Sequence, residues 1–573
     1  MPSVSSSRAS LGRAACVALA LLAGCATRPP PRPTIARAVS LDFAVETQPQ
    51  AALVVTLSFD GSPTGETQIA LHERYLGQKT NAAFLGLTVV GRSGAPLPIG
   101  KPAAHRLTVS HAPGEPLTVR YRITPRPERV MSGSFVRPVV ASSLVYLVGE
   151  SGLLLPSHFG DGAIEVRQTW RGLPAGWRAV SSLGSNATET RTGTIDVLRH
   201  AVFLAGPLRT VEQQVANGKL VLATMGQWRF TDAMLLDLTR QIVDGQHTYT
   251  QGNKPPYFLV VLLPVDAPRR TRPAIAGQSP SNGIVLFAQP TLDVGHASDF
   301  RRLRRVLALY AFRQWSGLAP DADPISVWIS EGFSSMLSRR LLYRAGLYSV
   351  EEYAADLNGS LRHYFLNPWR DLPDAQRTDA HLASEEYALA VQARGELLAL
   401  LVDIEMRRRS EGRQSLDDVM HDLVVEGKRS GQPFSVELLA GRLGELVGSS
   451  FAQQIRDVAA NSGMTGLPRD TLFPCLRQSV TLRGPWKLGF DFDASDRAHK
   501  IVGVEPNGPA WQAGLRDGLP LVGARIDFDN PGEEVRIQIK DGNDSREVRY
   551  LPQGQPRSLP QLSVNDPNRC SML

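Results

Sequence analysis

Paired histidines are missing from this chain. Its eleven histidines stand at positions 72, 105, 111, 158, 200, 247, 296, 363, 381, 421 and 499, and no two are three or four residues apart. That spacing removes the device by which one helix face presents two imidazoles to a zinc ion. His72-Glu73 begins such a motif, but Leu76 stands where the second histidine would be. No Gly-rich phosphate loop and no Gly-x-Ser-x-Gly elbow occurs, so neither nucleotide cradling nor serine-hydrolase chemistry is indicated. Lysine is scarce beside arginine, and the net charge of +7 comes mostly from the latter. No Lys/Arg run is interleaved with aromatics, so the charge reads as a solvated basic surface and no nucleic-acid partner is expected. No internal repeat is visible. What remains is ordinary globular composition, 42% hydrophobic and 20% charged, in a length that suits about three domains.

The N-terminus reads as a targeting segment. Arg8 and Arg13 precede the apolar run Ala14 to Ala23, which is too short to span a bilayer and suits a signal peptide. It ends Leu22-Ala23-Gly24-Cys25, which resembles a bacterial lipobox. The resemblance implies removal of residues 1–24 as a lipoprotein signal peptide and lipidation of Cys25, anchoring the chain to the cell envelope. Ala26 follows rather than Asp, which implies the outer membrane, facing the periplasm. Residues 25–37 hold Pro29-Pro30-Pro31-Arg32-Pro33, a stiff tether. Cys475 and Cys570 remain. In an oxidising compartment they form a disulfide closing a loop of about 95 residues, or else stay as two free thiols.

From 38 to 215 the text is strand-like. Ala52–Phe59, Leu117–Ile123 and Ile164–Trp170 are separated by Gly, Pro and Asn, and the latter two alternate polar with apolar residues. This predicts an antiparallel, sandwich-like β domain. Thr231 to Gly245 predicts an amphipathic helix with Thr231 as its N-cap. The unbroken apolar run Tyr257 to Leu263 predicts a buried strand. Ser349-Val350-Glu351-Glu352 predicts a capping box, and Leu397 to Asp403 and Ser415 to Met420 predict further helices. The domains expected are therefore 38–215, 216–470 and 471–573.

The segment Arg301 to Arg344 organises the second of these. Leu303, Val306, Leu307, Tyr310 and Gln314 fall at helical spacing, and a second helix begins at Trp328-Ile329-Ser330-Glu331-Gly332-Phe333, where its dipole favours the carboxylate. The basic run Arg301, Arg302, Arg304 and Arg305 reads as an exposed helix start, with anionic lipid headgroups as the alternative.

The order helix, Trp315, loop, Trp328-x-x-Glu331-Gly332-Phe333, helix, Ala345-Gly346-Leu347 resembles the glycyl aminopeptidase family of zinc metallopeptidases, family sixty-one. That resemblance implies a gluzincin fold whose middle domain is thermolysin-like and mainly α-helical, within a multidomain α+β chain. The family carries His-Glu-x-x-His-x-Trp on the first helix. Aligned on Trp315, Leu309 takes the place of the first histidine, Tyr310 that of the catalytic glutamate and Arg313 that of the second histidine. Glu331 alone keeps its identity, as the third ligand. The family's Gly-Gly-x-Glu-His strand corresponds to Ala276-Gly277-Gln278-Ser279-Pro280-Ser281-Asn282, without Glu or His. Its oxyanion-stabilising tyrosine corresponds to Val391-Gln392-Ala393-Arg394-Gly395, without a hydroxyl; Tyr387, a turn earlier, substitutes for it or packs in the core.

The C-terminal segment resembles a PDZ domain. Lys487-Leu488-Gly489-Phe490 matches its carboxylate-binding loop, and Val504 to Leu515 its strand, turn and helix, although Gly518-Leu519 replaces the usual Gly-Asp. The resemblance implies that peptide or protein C-termini dock there by strand addition.

Losing water activation and oxyanion stabilisation together removes orders of magnitude in rate. The expectation is therefore a non-catalytic, lipid-anchored peptidase-like protein that binds peptide and needs no cofactor. Within it, Arg313 is expected to pair with Glu331, a guanidinium in place of the metal. The alternatives are a metallo-aminopeptidase taking zinc through His296, His363 or His381 with Glu331, and a structural envelope protein.

Overall fold

The computed structural model describes residues 37–573, apart from 49, 71–73, 76–77, 80–83, 104–105, 125–136, 216–217, 250–256, 266–274, 317–323, 371–384, 431–434, 462–466, 528–531 and 543. The signal segment, Cys25, the polyproline run and His381 lie outside the described residues.

Alternation builds the first domain. Strands β1 (Ala38–Glu46), β2 (Ala52–Asp60), β3 (Phe84–Val90), β4 (Pro116–Ile123), β5 (Ile164–Arg171) and β6 (Thr188–Gly193) form one sheet in the order β6-β5-β1-β2-β4-β3. Along β4, Leu117, Val119, Tyr121 and Ile123 are buried while Arg120 and Arg122 are exposed. Two four-stranded sheets contribute to the same core. The pairing is antiparallel as expected except between β1 and β5, which run parallel. The long connection separating those two strands lets the chain return in the same direction.

The second domain is built on strands β7 (Arg209–Val215), β8 (Gly218–Thr224), β9 (Tyr257–Pro264), β10 (Ile275–Gln278) and β11 (Gly283–Ala288), in the order β7-β8-β9-β11-β10. The apolar run of β9 has two customers. Phe258, Val260 and Leu262 pack toward the helices, whereas Tyr257, Leu259, Val261 and Leu263 pack toward the first domain. A strand covered on both faces has no room for polar alternation. Because β7 and β8 pair residue for residue, the expected boundary at 215/216 cuts a hairpin. The second domain starts before β7.

Its helices are α1 (Asp232–Tyr249), α2 (Ala297–Ser316), α3 (Pro324–Arg344), α4 (Val350–Phe365), α5 (Glu385–Arg409), α6 (Leu416–Ser430), α7 (Val436–Val447) and α8 (Ser449–Asn461). The Thr231 hydroxyl accepts the Met234 N–H at 3.1 Å, and Ser349 with Glu352 closes the capping box. Helix α3 begins at Pro324 and has no acid in its first turn. Glu331 therefore lies two turns inside, beyond reach of the terminal dipole, and its charge needs another partner.

The C-terminal boundary also moves. Strands β12 (Leu476–Arg483) and β16 (Arg557–Val564) pair over eight residues, and Leu476, Leu559 and Leu562 sink into the helical core. Between these strands sits a smaller unit with its own core of Leu488, Phe490, Ile501, Leu515, Ile537 and Val548. It contains helices α9 (Phe492–Ala498) and α10 (Pro509–Gln512) and the three-stranded sheet β13 (Leu521–Arg525), β14 (Val535–Asp541) and β15 (Asp544–Tyr550). The ribbon β12–β16 thus belongs to the helical domain, not to a module starting at 471. Cys475 and Cys570, 95 residues apart, are bonded at its base. Among the described residues no helix is long and apolar enough to cross a membrane.

Candidate functional site

Helix α2 presents residues 306, 310 and 313 on one side by its 3.6-residue period. Arg313 reaches α3, where its Nη2 pairs with the Glu331 carboxylate. Both side chains are mostly withdrawn from water, at 17% and 21% exposure. The guanidinium lies over the Tyr310 ring, 4.7 Å from its centroid, a cation–π geometry. Burial draws the Arg313 guanidinium below its ordinary value, and Tyr310 opposes that shift. An arginine starts so high that it stays cationic. Leu309 is buried at 7% exposure, one turn before Arg313.

The edge strand β10 lies against the same helix. A Cβ on Gly277 would stand 2.6 Å from the Tyr310 ring, so only glycine lets the ring in. The Ser279 hydroxyl donates to the Tyr310 carbonyl at 2.9 Å. Gln278, near where the family has its acidic residue, accepts from the Tyr146 hydroxyl at 2.7 Å and so ties the strand to the first domain.

The residues present do not fit zinc. Catalytic zinc needs three N, O or S donors, and this position offers an aliphatic chain, a phenol, a guanidinium and one carboxylate already bound to that guanidinium. The substitute histidines do not assemble a site either. His296 is 71% exposed beside Asp293, and His363 sits exposed at the end of α4. Among the described residues, no group of three or more His, Cys, Asp or Glu stands close enough to hold a metal ion. Tyr387 is buried at 5% exposure.

A second feature escaped the sequence reading. The basic run on α2 is not an exposed face, for Arg304 and Arg305 turn inward. Arg304 pairs with Glu352 and the Leu347 carbonyl. Arg305 meets Asp356 at 2.8 Å and donates to the hydroxyls of Ser335 and Ser338. Arg339, 1% exposed, bonds Asp356 at 2.6 Å and pairs with Glu396. Glu396 also accepts from Ser335 at 2.9 Å and Ser360 at 2.8 Å. Gln392 donates to Ser335 at 2.9 Å, so this polar seam runs beside Glu331 down α3. Arg340 grips both oxygens of Asp403, at 3.1 and 2.5 Å. Burial alone would raise the Asp356 carboxyl, but Arg339 and Arg305 outweigh it and hold the group below its ordinary value. Asp403 behaves alike, with burial opposed by Arg340 and Arg407. The signal available in sequence was Ser334-Ser335-Met336-Leu337-Ser338-Arg339-Arg340, polar at every turn of a helix that packs on all sides.

The predicted C-terminal site is only partly assembled. Gly489 has φ of 85°, the left-handed conformation that glycine tolerates. Leu488 and Phe490 are buried, the Tyr550 hydroxyl donates to the Leu488 carbonyl at 2.7 Å, and Lys487 meets Glu505 at 2.5 Å. A helix, α9, follows the loop, and the strand expected to open the Val504–Leu515 stretch is not formed, since residues 501–505 are irregular. Asp491 caps α9 by accepting the Ala494 N–H at 2.9 Å.

No protein-family profile matches the chain, and no curated protein matches it in sequence. Solved structures do match in shape. An aminopeptidase N family protein from Idiomarina loihiensis superimposes with a TM-score of 0.71 at 16% identity, covering 93% of this chain and 100% of that one. An M1 zinc metallopeptidase from Deinococcus radiodurans gives 0.47 at 18% identity over 75% and 95% of the two chains. A variant of that enzyme bound to a Tyr-Ser-Ala substrate gives 0.46 at 19% identity over 75% and 94%. The first of these spans the whole layout of β domain, helical domain and C-terminal unit. The chain therefore has the fold of that aminopeptidase N family protein.

Proposed function

We propose that this protein is a non-catalytic, peptidase-like lipoprotein of the cell envelope that binds peptide or protein segments in its cleft. The observation that carries the reading is the Arg313–Glu331 pair. A guanidinium supplies at that point the positive charge a retained carboxylate requires, without any vacant coordination position for a reacting water. Tyr310 and Leu309 offer neither a ligand nor a general base. The anchor at Cys25 and the outer-membrane location extend the same reading, as does peptide capture at Lys487–Phe490.

Purified protein incubated with a peptide library, with products read by mass spectrometry, tests the central part. The expected result is saturable peptide binding with no zinc-dependent hydrolysis above the buffer rate. Cleavage that a chelator abolishes and zinc restores would overturn it. Binding at the C-terminal loop is read separately, by calorimetric titration of free-carboxylate peptides. Gly489→Asp and Lys487→Ala are each expected to weaken it, and unchanged affinity in both would remove that loop from the account.

A further inference from the structure

The ribbon β12–β16 leaves one side open. Its β16 edge is closed by α4, where the Asn358 amide donates to the Leu562 carbonyl at 2.8 Å and accepts the Leu562 N–H at 2.8 Å. A side-chain amide there imitates a neighbouring strand. The other edge, along β12, pairs with no strand among the described residues. Toward its outer end β12 exposes Val480 at 55% and Leu482 at 71%, the latter the largest exposure of any large apolar side chain described. These two point to one face, two residues apart.

Edge strands are normally blunted by a bulge, a proline or an inward charge. β12 carries none of these between Gln478 and Leu482, and its pairing with β16 is regular throughout. Its charges are Arg477 and Arg483, with Arg557 opposite on β16; neither strand contains an acid. Two cations, on the face opposite Val480 and Leu482, thus bracket the open strand edge about 20 Å apart, at six residues of strand rise.

We propose that the β12 edge is a docking strand for an extended segment of another polypeptide, one with alternating apolar residues bracketed by carboxylates. Main-chain hydrogen bonds supply the attachment, Val480 and Leu482 the apolar contact, and Arg477 and Arg483 the register. Two other occupants are disfavoured on charge and chemistry. A second copy paired antiparallel about Val480 would set Arg477 opposite Arg483 of its mate, a like-charge contact. Four of the five residues Pro29–Pro33 are prolines, without the N–H groups that strand pairing needs.

The test uses the full chain and a fluorescent peptide of alternating valine and threonine flanked by glutamates, acetylated and amidated so that no terminal carboxylate can occupy the Lys487–Phe490 loop. Anisotropy should show saturable binding, weakened about tenfold or more when lysines replace the glutamates. Arg477→Glu with Arg483→Glu should reverse that preference, and Leu482→Asp should weaken acidic-peptide binding while leaving the melting temperature unchanged. Equal binding of the acidic and basic peptides, preference unaltered by the double reversal, or concentration-dependent dimerisation through Leu482 would each overturn the proposal. A cleft that fails to bind peptide would leave these outcomes untouched, since none involves Arg313 or Glu331.

Discussion

Glu331 and Arg313 face each other between α3 and α2, both mostly withdrawn from water. Removing one charge strands the other, so Glu331→Gln is expected to cost about 1–3 kcal/mol, below the full penalty of a wholly buried pair because both keep some exposure. Arg313→Met with Glu331→Gln should recover much of that loss. A double-mutant cycle by urea denaturation measures the coupling; additive losses would mean that the pair is not a unit. Gly332 gives a second test at this scale. A Cβ there would lie 2.2 Å from the Gly395 carbonyl carbon, so α3 and α5 cross at glycine contact. Gly332→Ala should destabilise by roughly 1–3 kcal/mol through overpacking, checked by the same denaturation.

At the scale of elements, the helical domain is held by charge as well as by apolar packing. Asp356 and Asp403 have folded-state values held below their unfolded ones. Their contribution is therefore fully present above the unfolded value near pH 4 and is lost as pH falls through the lower folded values. Stability should change little on their account from pH 7 to 5 and drop below about pH 4, while Asp403→Asn should blunt that drop. A melting-temperature series across pH 3–7 in both proteins reads the difference. The ribbon makes a separate element-scale claim. Closing a 95-residue loop stabilises by about 2–4 kcal/mol where the unfolded chain is the party constrained. Cys475→Ser with Cys570→Ser should lower the denaturation midpoint accordingly, and reductant should then have no further effect.

Across the whole molecule, what could be read in sequence was what is local. Alternation in β4 and β5, the Thr231 cap, the Ser349–Glu352 box and the two-sided burial of β9 each depend on a few neighbouring residues. The boundary at 215/216 moves because the local hairpin of β7 and β8 spans it, and that at 470/471 because Leu559 and Leu562 dock on the helical core from far along the chain. Arg304 and Arg305 look like a surface run in sequence but are turned inward. Their carboxylates come from α4 and α5, and nothing within α2 announces them. Beside Glu331, the absence of zinc donors at Leu309, Tyr310 and Arg313 was legible residue by residue, whereas the closure of Gly277 against Tyr310 needed the fold. The central claim is that Arg313 holds the position a metal would need. Equilibrium dialysis of the wild-type chain against zinc, read by elemental analysis, tests it most directly. The account predicts metal well below one equivalent per chain; one tightly held zinc per chain would contradict it.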